Sequence, residues 1–142
     1  ECIVYMGAVD MERQARKAGL PFNPKPTYWP TNPAPSSYAI IAAQNAGGDV
    51  GALVHTILRA TWAEEKDISQ DDVVRDALQA CGFDPKLADS GLLVGAETYA
   101  ANLEEAVSLG VFGSPFYIVD GTEKFWGQDR LDDLDAFMAG DL

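Results

Sequence analysis

Most of the chain is patterned with the 3.6-residue period of amphipathic helices. The opening apolar run Cys2–Met6 is too short to type by periodicity, and a helix is expected from about Val9, through Val9-Asp10-Met11-Glu12-Arg13-Gln14-Ala15-Arg16. Gly19 followed by Pro21 should stop it. Ser36-Ser37 are placed to cap a helix running through Tyr38–Ala43 to the Gly47-Gly48 break. Asp49 can cap the next, in which Val50, Leu53, Val54, Ile57, Leu58 and Trp62 recur on one face. Ser69 with Asp72 gives a capping-box pattern ahead of Val73, Val74, Ala77, Leu78 and Cys81, and Gly82 ends that helix. A short helix at 85–90 and a longer one near 93–109 follow, the latter with a stripe of Tyr99, Leu103, Ala106 and Val107.

Two stretches break the helical pattern. Residues 21–35 hold six of the eight prolines, and so many fixed φ angles and missing donors exclude both helix and central strand. The embedded Phe22, Tyr28 and Trp29 are too apolar for a solvated linker, so an ordered loop packed over other elements is expected. Near the C-terminus, Phe116-Tyr117-Ile118-Val119 reads as a strand, Asp120-Gly121 as a hairpin turn and Lys124-Phe125-Trp126 as the returning strand. Gly127 leads into a final helix expected to turn Leu131, Leu134 and Met138 inward. A lone hairpin is marginal in water, so the sequence reads as part of a fold with further strands.

Composition narrows the function. The 142 residues carry 22 Asp plus Glu against 10 Lys plus Arg, a net charge of -12. Such a surface repels phosphate backbones and anionic membranes, so neither nucleic acid nor membrane is an expected partner. No apolar run approaches the ~20 residues of a membrane span. Cys2 and Cys81 form neither a disulfide scaffold nor a CxxC pair, which fits a soluble protein of a reducing, cytoplasmic compartment. His55, the only histidine, has no evident partner and reads as an ordinary helix residue, which leaves a Ser-His triad unsupported. The carboxylates at Asp67, Asp71, Asp72 and at Asp132, Asp133, Asp135 lack metal-ligand spacing and read as solvated helix ends, so no metal is expected.

Two C-terminal motifs, Gly110-Val111-Phe112-Gly113-Ser114-Pro115 and Trp126-Gly127-Gln128-Asp129-Arg130-Leu131, carry a resemblance. Together with Asp10-Met11-Glu12-Arg13, Gly19-Leu20-Pro21 and the aromatic loop through Tyr28, they make the chain similar to 2-hydroxychromene-2-carboxylate isomerases and kappa-class glutathione transferases. The resemblance implies an α/β, thioredoxin-like fold of the DsbA type with an all-helical insertion. On that reading residues 1–109 are mostly the insertion and 110–142 the C-terminal ββα part. Glu1 is then preceded by a βαβ unit of roughly fifty residues carrying the serine that supports a glutathione thiolate, so no catalytic residue lies in this chain and the chain alone is expected to be inactive.

The resemblance assigns glutathione, as cofactor, to Ser114, Pro115, Trp126, Gly127, Gln128 and Asp129. Pro115 is expected in the cis form, holding the Ser114 N–H and C=O open as an edge for an extended peptide. Gln128 and Asp129 fall at a helix start, where free amides suit the γ-glutamyl carboxylate and Asp129 its ammonium. Tyr28 and Trp29 are the substrate-site candidates, facing a small aromatic acid. The implied activity is glutathione-dependent cis–trans isomerisation of an aromatic 2-keto acid in aromatic-compound catabolism, by a homodimer. A DsbA-like disulfide oxidoreductase, which needs a CxxC, and a non-catalytic helical binding module remain alternatives.

Overall fold

The computed structural model describes residues 2–142, with side chains from Val9 onward. Expectations attached to Glu1, to what precedes it and to the Cys2 side chain lie outside these residues. The elements are helices α1 (Cys2–Ala18), α2 (Ala34–Asn45), α3 (Gly51–Trp62), α4 (Asp71–Ala80), α5 (Leu87–Ser90) and α6 (Leu92–Ser108), strands β1 (Phe116–Val119) and β2 (Glu123–Trp126), and helix α7 (Leu131–Ala139). Residues 2–100 form one compact unit and residues 101–142 another, so the last turns of α6 group with the hairpin and α7. No helix among the described residues is long and apolar enough to cross a membrane.

Helix starts depart from the sequence expectation wherever a stronger local acceptor or a proline intervenes. Helix α1 begins at Cys2, ahead of Val9, because a five-residue apolar run carries no period of its own. The Ser36-Ser37 cap of α2 does not form. Pro33 takes the cap position, Pro35 sits in the first turn where a missing N–H is harmless, and the Asn32 side chain accepts from the Ala34 amide at 3.1 Å. Ser36 is buried and donates its hydroxyl to the Pro33 carbonyl at 3.0 Å. Asp49 serves α3 from one residue further out, accepting from the Gly51 amide at 2.9 Å. The Ser69–Asp72 capping box is also absent. Ser69 gives both its amide (3.0 Å) and its hydroxyl (2.7 Å) to Asp67, whose ionised carboxylate outcompetes a helix amide as a partner.

The core of the helical unit is built from Leu53 and Ile57 of α3, Val74 and Leu78 of α4, Ile68 between them and a set of alanines. Cys81 packs against this core, partly buried, as expected of a small apolar side chain. Small residues let α2 and α6 approach closely. A β-carbon on Gly95 would lie 2.6 Å from the Tyr38 β-carbon and 2.8 Å from its α-carbon, while the Tyr38 and Tyr99 rings meet edge to face at 5.8 Å.

The proline-rich segment is ordered, as its aromatic content implied. Phe22 stacks on Trp62 at 5.6 Å and Trp29 tilts against the same indole at 4.7 Å. Its polar ties run to the stretch after α3. The Thr27 amide and hydroxyl donate to Glu65 at 2.8 and 2.6 Å, the Asn23 side chain donates to the other Glu65 oxygen, and the Thr31 hydroxyl donates to Asp67 at 2.8 Å. The Thr27 bonds, with Asn23, hold the Glu65 carboxyl below its ordinary value. Gln70 and Ser69, then Thr31, push Asp67 further down.

In residues 101–142, β1 and β2 pair antiparallel with Phe116 opposite Trp126 and Val119 opposite Glu123. Asp120 and Gly121, at φ 51° and 77°, are the central residues of the turn that the Asp-Gly pair announced, closed by the Thr122 amide on the Val119 carbonyl at 3.2 Å, and Thr122 completes a three-residue loop. Leu131 and Met138, expected inward, are exposed, Met138 to 71%, and so are Leu103 and Val107 of the α6 stripe. Two four-residue strands offer too little surface to cover both helices. Phe137 of α7 reaches the hairpin through Phe125, ring to ring at 5.8 Å.

Two stability predictions follow from the helical unit. Gly95→Ala adds a methyl group against backbone, an overpacking cost of about 1–3 kcal/mol, and gains only about 1 kcal/mol of helix propensity. Urea unfolding should show a net loss of up to about 2 kcal/mol; a variant as stable as its parent contradicts this packing. The Asp67 pKa is lowered on folding, so its stabilisation is complete above the ordinary carboxyl value of 3.8 and is lost as pH falls below it. Asp67→Asn should therefore destabilise the protein at neutral pH and lose less on going from pH 4 to 2 than the parent does, read by tryptophan fluorescence.

Candidate functional site

The residues singled out in the C-terminal motifs converge on one end of the hairpin. The Ser114–Pro115 bond is cis, and the chain enters β1 immediately after it. The ladder extends one step beyond the Phe116–Trp126 pair, because the Gly127 amide donates to the Pro115 carbonyl at 3.1 Å. That bond ties the two motifs to each other. Ser114 is exposed, and its N–H and C=O bond no backbone group among the described residues. It therefore presents a single donor–acceptor edge of the kind an extended peptide can extend.

Glycines make the room around this edge. A β-carbon on Gly113 would run into the Trp126 indole, so the indole lies directly over that backbone. Phe112 meets Trp126 edge-on at 5.0 Å and Phe116 at 5.3 Å, giving an exposed aromatic wall. Gly127 has φ 113°, a conformation that side-chain-bearing residues rarely adopt, and a β-carbon there would collide with the Asp129 carboxylate.

After Gly127, residues Gln128–Arg130 form a 3-10 turn closed by the Arg130 amide on the Gly127 carbonyl at 3.3 Å, and α7 follows directly. Gln128 and Asp129 are exposed, and their amides find no backbone acceptor among the described residues. A carboxylate and two outward amides within one turn can receive a group that carries both charges. Arg130 does not neutralise Asp129; its guanidinium lies 3.5 Å from Asp133.

Tyr28 and Trp29 belong to the helical unit. Both are about half exposed, 47% and 52%, and the Trp29–Pro30 bond is cis. Trp29 is fixed by its contact with Trp62 and by its amide, which donates to the Pro26 carbonyl at 3.2 Å. Tyr28 lies between this anchor and Thr27, itself bound to Glu65, so its position is set while its phenol makes no hydrogen bond to a described residue.

A cavity that no sequence motif marks lies in the helical unit. It is lined in part by His55, Arg59 and Trp62 of α3, with Leu58 beside them, exposed rather than in the core stripe. Their i, i+4, i+7 spacing was the available signal. No group of three or more potential ligands for a metal ion occurs among the described residues.

A solved structure of selenomethionine 2-hydroxychromene-2-carboxylate isomerase is similar to this chain, with a TM-score of 0.72 and 24% identity over 96% of this chain. The chain spans 65% of the length of that isomerase, and at this identity the likeness concerns the fold. No curated protein matches the chain. Residues 3–139 match the DSBA-like thioredoxin domain, nearly the whole chain. The thioredoxin-like fold expected from the two C-terminal motifs is thus the fold found, and the chain belongs to the DSBA-like thioredoxin domain family.

Proposed function

We propose that this chain belongs to an enzyme that isomerises an aromatic 2-keto acid of the 2-hydroxychromene-2-carboxylate type with the help of glutathione. The observation that carries the reading is the Gly127–Pro115 hydrogen bond, which sets the open Ser114 edge beside the Gly127–Asp129 turn. The likeness to a solved isomerase of that substrate gives it further support.

The residues present fit the tripeptide. Ser114 would pair with its extended backbone, the amides of Gln128 and Asp129 with the γ-glutamyl carboxylate, and the Asp129 carboxylate with the ammonium. The space that a side chain at Gly127 would fill stays open to it. When bound, glutathione would supply a thiolate for reversible nucleophilic catalysis at a conjugated carbon of the substrate. The chain's own residues bind and orient; none of residues 1–142 is assigned to ionising the thiol. By holding and orienting the tripeptide, these residues would make its reaction with the substrate effectively unimolecular. Tyr28 would donate its phenol to a substrate oxygen, with Trp29 as a wall for the aromatic ring.

Asp129→Ala should weaken glutathione binding by about 1.5–3 kcal/mol, the range for a hydrogen bond to a charged group, measured by calorimetric titration. Unchanged affinity removes the assignment of the Gly127–Asp129 turn. Tyr28→Phe should instead raise KM or lower kcat for the chromene acid while glutathione affinity stays at the parent value. Loss of glutathione binding in Tyr28→Phe contradicts the division of roles.

A further inference from the structure

We infer that the helical unit contains a binding cavity for a small apolar monocarboxylic acid. The cavity has a volume of about 350 Å³ and lies among α1, the loop residues 20–22 and α3. Met11, Leu20, Phe22, Leu58 and Trp62 give it an apolar wall. Ligand sites run from about 300 to 1,000 Å³, so this one suits a ligand of one or two rings. The stacking of Phe22 on Trp62, 23° from parallel, makes part of the wall flat and stiff, which favours a planar ligand.

The polar groups at this cavity are both basic. His55 and Arg59 are one turn apart on α3 and reach the same space. Arg59 gives its Nε to Glu64 at 2.8 Å, and the other Glu64 oxygen is taken by Lys66 at 2.9 Å. One carboxylate therefore serves two cations, and the terminal guanidinium nitrogens of Arg59 have no acidic partner among the described residues. In a chain of net charge -12, such a cationic edge is a local exception that selects for an anion. A neutral apolar ligand would desolvate Arg59 without replacing its water. A dianion would put a second charge against the apolar wall. A monocarboxylate on an apolar body satisfies both ends. None of the residues assigned above to glutathione or to its substrate lines this cavity, so the inference goes beyond that reading.

The test is titration of 1-naphthoate, and of the neutral 1-naphthalenemethanol, into the protein without glutathione, followed by tryptophan fluorescence and by the Trp62 indole N–H signal. Naphthoate should bind saturably, shift the Trp62 signal in the parent and in Tyr28→Phe alike, which separates this cavity from the Tyr28–Trp29 site, and bind more tightly than the alcohol. Arg59→Met, at an exposed position, should weaken naphthoate binding about tenfold and leave the alcohol unaffected. Ala15→Phe should fill the cavity and weaken both ligands, with an unchanged thermal transition establishing that the variant is folded; if it is not, Leu58→Phe takes its place. The inference is overturned if naphthoate fails to saturate, if the alcohol binds as tightly, or if the Arg59→Met protein binds naphthoate like its parent.

Discussion

A proline-rich segment cannot hold itself in place, since each proline removes a donor and fixes a φ angle that rarely closes a repeating ladder. The order of residues 21–35 therefore depends on what lies outside them. Two carboxylates, Glu65 and Asp67, supply acceptors for Asn23, Thr27 and Thr31, and one indole, Trp62, supplies an apolar seat for Phe22 and Trp29. All three anchors lie within six residues at the end of α3 and just after it. The position of Tyr28 and the wall of the α3 cavity both rest on this short stretch.

The C-terminal unit solves a different problem. Its two four-residue strands leave Leu131 and Met138 of α7 and Leu103 and Val107 of α6 exposed. What is well defined is the turn at the ribbon's open end, where backbone bonds and excluded β-carbons fix the geometry without a large core. Gly113 gives way to an indole and Gly127 to a carboxylate, so the chain is held by the space these residues lack.

Much of this was legible in the sequence because local rules acted alone. Helix periodicity located α2 through α6, Asp120-Gly121 located the hairpin, and the Ser114-Pro115 and Trp126–Leu131 motifs pointed to the fold. Local rules failed where a tertiary partner competed. Ser69 has the spacing of a cap for α4, but Asp67 claims both of its donors. Leu131 and Met138 follow an inward period, yet no surface exists among residues 101–142 to receive them. His55 and Arg59 carried no signal as single residues, because a cavity needs α1, the loop and α3 together, and sequence spacing places only the last.

The pairing of Trp29 with Trp62 has an optical consequence. Two indoles with centroids 4.7 Å apart and planes 44° from parallel share their electronic excitations instead of absorbing independently. The coupling gives a split, oppositely signed circular dichroism couplet, and its amplitude depends on that distance and tilt. Trp126, the third indole, is paired with Phe112 in the C-terminal unit and contributes no such couplet there. The seat of the proline-rich loop thus carries its own chromophore pair, and the state of the loop can be followed without a label.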